Sequence, residues 1–129
     1  MADATYHNNP IPTEVAVILQ NQTLEEKEFM SFEKILEWYR AWEGRCYVSF
    51  SGGKDSTVLA YLVADALAEI GATCPLHLAF CDTGLEYPEN REFVHYYADW
   101  LQEHFPAIKV ELHILKPEIS FKQVVVRYG

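Results

Sequence analysis

The sequence predicts an α/β fold with a parallel sheet. Short apolar runs typical of strands alternate along the chain with apolar residues at helical spacing. One of these runs, residues 76–81, is apolar at nearly every position, as expected of a strand covered on both faces. Polar turns that contain glycine follow two of the strands, and open parallel sheets bind their ligands at such turns. We therefore expect strands and helices in alternation, joined by right-handed crossovers.

Length, charge and cysteine content restrict the possible function. The chain has 129 residues, half of them hydrophobic, which suits one domain with a buried core. Its formal charge of −9 argues against a broad nucleic-acid-binding surface, so any phosphate site must be local. Three cysteines without close spacing favour a reducing compartment. With no export signal and no membrane span in the sequence, we expect a soluble, cytoplasmic protein.

Residues 1–45 are predicted to form an N-terminal arm and helix that precede the α/β domain of residues 46–129. Residues 1–12 are polar and contain two prolines, which indicates an irregular arm. Residues 14–20 could form a short helix or a strand, because periodicity does not separate the two.

A helix is predicted over residues 24–43. Thr23 and Glu26 have the spacing of a capping box, and Gly44 follows the last apolar residue. The apolar stripe of this helix could stack on a ligand, but such stripes are usually core faces, and we interpret it as core. The stripe consists of Phe29, Phe32, Ile35, Leu36, Tyr39 and Trp42.

The first strand is predicted over residues 46–50 and the following helix over residues 56–70, before Gly71. The helical spacing assigns seven residues to its inner face: Val58, Leu59, Leu62, Val63, Ala66, Leu67 and Ile70. In the next strand we interpret His77 as a structural residue, because no partner ligand lies at a useful spacing along the sequence. Cys81 could be a reactive thiol, but buried cysteines in strands are usually inert, and we interpret it so.

A second polar turn, residues 82–89, leads into a helix with Pro88 in its first turn. Phe93, Val94, Tyr97 and Leu101 give this helix an inner face. Residues 109–115 then alternate between apolar and polar, which predicts a half-exposed strand at a sheet edge, and Ser120 can cap a final short helix.

The first polar turn, Ser51-Gly52-Gly53-Lys54-Asp55-Ser56, predicts a phosphate site. Adjacent glycines allow a sharp turn, and the helix that starts there points its free N–H groups and positive dipole end at the same place. The turn fits neither a Walker A loop nor the dinucleotide-binding fingerprint. The alternative is a plain strand-to-helix turn, but that interpretation leaves Lys54 unexplained.

This turn after an apolar strand resembles the pyrophosphate loop of adenine nucleotide α-hydrolase-like enzymes. Residues 47–59, residues 80–89 and the C-terminal residues through Tyr128-Gly129 are together similar to the phosphoadenosine phosphosulfate (PAPS) reductase family. The resemblance implies a three-layer, Rossmann-like parallel sheet with strand order 3-2-1-4-5. Three strands are visible in the sequence, so we expect an incomplete version with an N-terminal helical extension. The open edge of the first strand then predicts a homo-oligomer or a completing partner chain.

The resemblance also implies the site. Ser51, Gly52, Gly53, Lys54 and Ser56 would surround the phosphates of ATP or PAPS. Asp55 would cap the helix or lie near a nucleotide-bound Mg²⁺. The triplet 82–84, Asp82, Thr83 and Gly84, corresponds to the family's second nucleotide-side motif, although Asp82 could equally be a turn residue.

Members of this superfamily reduce sulfonucleotides or activate substrates by adenylylation, often for sulfur transfer. We therefore expect an adenine-nucleotide-binding domain of a PAPS reductase-like enzyme. The family's C-terminal Glu-Cys-Gly-x-His segment, which carries the catalytic cysteine, is not in the sequence, and no catalytic residue or metal site is predicted. The alternative is a nucleotide-binding or interaction module without turnover, such as a shortened homologue or a subunit that a partner completes.

Overall fold

The computed structural model describes residues 10–129 and contains a parallel sheet of three strands. Most of the predicted arm, residues 1–9, lies outside this range. Along the described chain, the elements are α1 (Thr13–Gln20), α2 (Leu24–Ala41), β1 (Tyr47–Ser49), α3 (Lys54–Glu69), β2 (Leu76–Cys81), α4 (Pro88–His104), β3 (Val110–Leu115) and α5 (Phe121–Tyr128). The α/β class is confirmed, and the ambiguous segment near the N-terminus is helical.

The sheet has the order β1-β2-β3, with both pairs parallel. β2 lies in the centre and β3 at one edge, as the alternating sequence of β3 predicts. Among the described residues, the outer edge of β1 pairs with no strand. This arrangement is consistent with an incomplete Rossmann-like fold.

The hydrophobic core lies on one face of the sheet, under α3 and α4. The strands contribute alternate residues to it, including Phe50, Leu78 and Phe80, all nearly inaccessible to solvent. From α4, Val94 and Leu101 are fully buried, as predicted. Two successive right-handed crossovers in one direction place both helices on the same side, so this face is well covered.

The predicted inner face of α3 is partly wrong. Val58 and Leu59 are 55% and 44% exposed, whereas Ala60 and Ala64, which were not assigned to the core, are completely buried. These two alanines, one helical turn apart, let α3 approach the sheet closely. Val58 and Leu59 therefore lie toward the sides of the helix, whereas Ala66 and Leu67 are buried as predicted.

The core interpretation of the α2 stripe is also partly wrong. α2 packs against α3 rather than on the sheet, and Leu36 is its only buried residue. Phe29 is 65% exposed and Trp42 43% exposed, because contact with a single helix buries a narrower strip than contact with a sheet does. The capping box of Thr23 and Glu26 is confirmed in both hydrogen bonds.

The opposite face of the sheet carries His77, Glu111 and His113. These three side chains are half-buried or exposed. The interpretation of His77 as a structural residue stays a prediction, but it has neighbours that are distant in sequence, because the parallel register places Glu111 beside it on β3 and His113 within hydrogen-bond distance. Cys81 at the end of β2 is exposed, not buried as expected. None of the helices within residues 10–129 is both long and apolar enough to cross a membrane.

Candidate functional site

The candidate site is built around the turn between β1 and α3. Strand pairing continues one residue past β1, since Phe50 N donates to Ala79 O at 2.8 Å, and the buried Phe50 ring fixes the end of the strand. The chain then reverses through Gly52, whose φ is +77°, and Gly53 forms the N-cap of α3. The predicted strand, glycine turn and helix start are therefore all present.

Gly52 is needed for a second reason besides its left-handed φ. A Cβ atom at this position would lie 2.4 Å from Asn90 Oδ1 and 3.1 Å from Val94 Cγ2. Asn90 in turn donates from Nδ2 to Ser51 O at 3.1 Å. The turn is thus pressed against the first two turns of α4, and a side chain at residue 52 would separate them.

Hydroxyl groups give the turn a fixed internal structure. Ser51 Oγ and Ser56 Oγ are 3.0 Å apart, and Gly53 N donates to Ser51 Oγ at 3.2 Å. Ser56 Oγ also donates to Gly53 O at 3.1 Å. The two serines that were expected to surround a phosphate therefore lie side by side, so both hydroxyls point to one small region.

The N-terminus of α3 has no side-chain cap. The first hydrogen bond of the helix runs from Thr57 N to Gly53 O at 3.0 Å, so the N–H groups of Lys54, Asp55 and Ser56 precede it. Lys54 is exposed and forms no ion pair with any residue in the described range. These free donors and the ammonium group are what an anion requires at a helix start.

Asp55 does not cap the helix, contrary to one of the two roles expected for it. α3 begins at Lys54, two residues earlier than predicted, so Asp55 is in the first helical turn and Gly53 occupies the cap position. Its carboxylate is exposed to solvent. The other expected role, near a nucleotide-bound Mg²⁺, remains a prediction.

The second turn is organised by Asp82, a largely buried carboxylate just after β2. Its Oδ1 accepts hydrogen bonds from Gly84 N and Arg91 Nη2, each at 3.0 Å. The Gly84 N–H, followed by the Arg91 guanidinium and the more distant Lys116, holds the pKa of Asp82 below its ordinary value. Asp82 thus stays ionised and shapes the turn, while Thr83 and Gly84 remain exposed.

α4 links the two turns. Asn90 bonds to the Ser51 carbonyl and the next residue, Arg91, pairs with Asp82, so neighbouring residues of one helical turn hold both loops. Farther along, Tyr97 Oη donates to Thr57 O at 3.0 Å and fixes the first turn of α3. Within residues 10–129, no hydrogen bond joins the Asp82 turn directly to the Ser51–Ser56 turn.

Asn90 and Arg91 are site residues that the sequence reasoning missed. Both residues lie in the first turn of a helix that follows a polar turn at the end of a strand. Residues in that position face the carboxyl edge of the sheet, so the sequence could have indicated them. Arg91 Nε is buried and has no hydrogen-bond partner among the described residues. Arg91 therefore has donor capacity beyond its pair with Asp82.

A separate apolar cleft runs along the unpaired edge of β1. It has a volume of about 360 Å³ and lies between β1, α2 and α3. Its lining includes Trp38, Tyr47 and Leu59, which are all substantially exposed. The cleft ends at Ser49, before the glycine turn, so it is a different surface from the candidate phosphate site.

Comparison with known protein families gives one match. The family model described as "Phosphoadenosine phosphosulfate reductase domain" matches residues 45–129, from just before β1 to the last residue of the sequence. No curated protein and no solved structure matches the chain. The matched segment contains both polar turns and all three strands, and it covers more than half of the chain. The chain therefore belongs to the phosphoadenosine phosphosulfate reductase domain family.

Proposed function

We propose that the chain binds a PAPS-type adenine sulfonucleotide, with the phosphate groups at the Ser51–Ser56 turn. Its family implies a function related to sulfonucleotides. The finer statement, that this chain binds the nucleotide and that these residues contact it, is our inference from the geometry of the turn.

The proposal rests on the uncapped N-terminus of α3, beside a lysine that forms no ion pair within residues 10–129. Three backbone N–H groups, the Lys54 ammonium and the hydroxyls of Ser51 and Ser56 all lie within one turn of chain. A plain strand-to-helix turn would satisfy the helix start with a capping side chain, which this turn does not do. A phosphate oxygen would supply the missing acceptors.

The overall charge of the chain makes this local arrangement necessary. With a formal charge of −9, the protein repels polyanions at long range, so binding must rely on short hydrogen bonds and nearby cations. Arg91 is another cation at this edge of the sheet, with its guanidinium held by Asp82. We assign it to the nucleotide side of the site, together with Thr83 and Gly84.

Turnover is the second part of the proposal. The enzymatic candidate is sulfonucleotide reduction, in which a thiol reductant supplies two electrons and sulfite is released. The alternative is a module that binds the nucleotide without turnover. The unpaired β1 edge and its apolar cleft favour that alternative, because they give the domain a surface suited to another polypeptide. ATP, with or without Mg²⁺, is the competing ligand.

One experiment separates these possibilities. Calorimetric titration of the purified chain with PAPS, ATP and ATP plus Mg²⁺ measures binding. Incubation with PAPS and a dithiol measures sulfite, and incubation with ATP and Mg²⁺ measures AMP and pyrophosphate. Preferential binding of PAPS with sulfite release supports the reductase. PAPS binding without sulfite supports the module, and tighter binding of ATP with release of AMP or pyrophosphate supports an adenylylating enzyme. The absence of any nucleotide binding would contradict the proposal.

We also propose that the β1 edge joins a second copy of the chain. Identical edge strands can pair around a two-fold axis, and Trp38, Trp42 and Tyr47 offer exposed apolar surface beside that edge. Light scattering should give a dimer mass for the unmutated chain and a monomer mass for Tyr47→Glu, which places a charge at the edge. A monomer mass for the unmutated chain throughout the micromolar range would contradict this assignment.

A further inference from the structure

The parallel register of β2 and β3 brings three potential metal ligands together on the open face of the sheet. His77 and Glu111 are directly paired positions, and His113 pairs with Ala79, one step along the same face. His77 is 34 positions from Glu111 and 36 positions from His113 in the sequence, so no local motif reveals the cluster. Neighbouring strands fix their backbone positions, and only side-chain rotation is needed to adjust the ligand atoms.

The ligand atoms converge at distances suited to a single ion. His77 Nδ1 lies 2.9 Å from His113 Nε2 and 3.4 Å from Glu111 Oε2, and His113 Nε2 lies 3.9 Å from the same carboxylate oxygen. Ligands at the usual zinc distances, about 2.0–2.2 Å in a tetrahedral site, stand roughly 3.3–3.6 Å apart. The three separations bracket that range, so small side-chain rotations would complete the geometry.

Lys109 orients the carboxylate of this cluster. Its ammonium pairs with Glu111 Oε1, which leaves Oε2 directed at the two imidazoles. Hydrogen-bonded or paired partners that fix a ligand's orientation are a regular feature of metal sites. The side chains of His77 and Glu111 are 34% and 30% exposed, so the cluster is accessible to an ion from solvent yet partly shielded.

We propose that His77, Glu111 and His113 form a binding site for a divalent transition-metal ion, with zinc as the ion that the donor set suits best. Two imidazoles and one carboxylate are the three protein ligands in known sites for zinc and other first-row metals. Mg²⁺ and Ca²⁺ prefer oxygen ligands and do not fit this set. Three protein ligands leave one position of the ion open to water or to an external ligand, and the bound ion would tie β3 to β2.

The site is independent of the proposed nucleotide site. It lies on the sheet face opposite α3 and α4, whereas the Ser51–Ser56 turn lies at the carboxyl edge of the sheet. Failure of nucleotide binding would therefore leave this inference standing, and the reverse also holds. The competing explanation is an ordinary hydrogen bond between two histidines with a neighbouring carboxylate.

Zinc titration of the full chain tests the proposal, by competition with a chromophoric chelator. We expect one zinc ion per chain, with the affinity lowered at least about tenfold in His113→Ala and in Glu111→Gln. His95→Ala is the matched control, because His95 is exposed on α4 and away from the cluster. Its zinc affinity should equal that of the unmutated chain.

Two further readouts keep the test decisive if a variant is less stable. Zinc should raise the unfolding temperature of the unmutated chain and of His95→Ala, but not of His113→Ala. The Co²⁺-loaded protein should show the absorption of nitrogen and oxygen ligation without thiolate charge transfer. Equal zinc affinity in His113→Ala and His95→Ala, or a thiolate band from the cysteines, would overturn the proposal.

Discussion

Substitution of Gly52 by alanine should destabilise the protein through two separable effects. The residue has a φ of +77°, which costs an L-amino acid about 1–2 kcal/mol. The added Cβ would also lie 2.4 Å from Asn90 Oδ1, so Asn90 must move and lose its hydrogen bond to Ser51 O. That loss costs about 0.5–1.5 kcal/mol. Together they predict a decrease of about 2–3 kcal/mol in the free energy of unfolding.

Urea unfolding followed by circular dichroism measures this change. With a denaturant slope of about 1–3 kcal/mol per molar urea, the midpoint of Gly52→Ala should fall by about 0.7–3 M. Gly71→Ala is the matched control. Gly71 also has a positive φ, +63°, but an added Cβ would meet no heavy atom within 4 Å. It should therefore show only the backbone cost, about 1–2 kcal/mol.

Asn90→Ala tests whether the contact with α4 is the cause of the extra cost. In that background, Gly52→Ala should cost less than in the unmutated chain, because the contact with Asn90 Oδ1 and the hydrogen bond are already gone and only the 3.1 Å approach to Val94 Cγ2 is left. If Gly52→Ala and Gly71→Ala are equally destabilising in the unmutated chain, the close approach of the turn to α4 is refuted.

Three further predictions concern stability and use the same urea assay. Because the pKa of Asp82 is lowered in the folded state, the Asp82 carboxylate stabilises the fold above about pH 4, and this stabilisation is lost as the pH falls further. When the pH is lowered below about 4, the free energy of unfolding of Asp82→Asn should therefore fall less than that of the unmutated chain. Ala64→Leu should cost about 1–3 kcal/mol because residue 64 is fully buried, whereas Val58→Leu, at an exposed position, should leave stability unchanged. Thr23→Ala removes the α2 cap and should cost about 1 kcal/mol.

The sequence predicts the fold well where local chemistry decides it. The glycine turn after β1, the capping box at Thr23, the cap at Ser120 and the alternation of β3 are all found where the pattern indicates. Each depends on residues within a few positions of one another. Sheet order also follows, since the resemblance and the half-exposed β3 both place β2 in the centre.

Packing partners are harder to predict. Apolar periodicity shows which residues of a helix can be buried, but it does not show which helix or sheet will cover them. Ala60 and Ala64 were missed because small residues contribute little to an apolar pattern, although they set the distance between α3 and the sheet. Phe29 was assigned to the core because its spacing is correct, yet α2 contacts only another helix there.

Contacts between distant segments decide the rest. Asn90 meets Ser51 across 39 positions, and His77 meets His113 across 36. Both pairs depend on the register of the strands and on the positions of the crossover helices. A single sequence does not specify either. The phosphate turn could therefore be predicted from its own residues, whereas its support from α4 and the histidine cluster required the structure.

If the Ser51–Ser56 turn holds the phosphates of a sulfonucleotide, loss of the Lys54 ammonium should weaken binding. Lys54→Ala removes one exposed ammonium without disturbing any ion pair among the described residues. Lys27→Ala is the matched control, since it removes the same charge from the exposed surface of α2.

The measurement is the dissociation constant for PAPS of the unmutated chain and these two variants. Loss of a charge-assisted hydrogen bond, about 1.5–3 kcal/mol, predicts binding roughly 10–100-fold weaker for Lys54→Ala, with the fold intact by circular dichroism. Lys27→Ala should bind PAPS as the unmutated chain does. Equal affinity of Lys54→Ala and Lys27→Ala for PAPS would contradict the account.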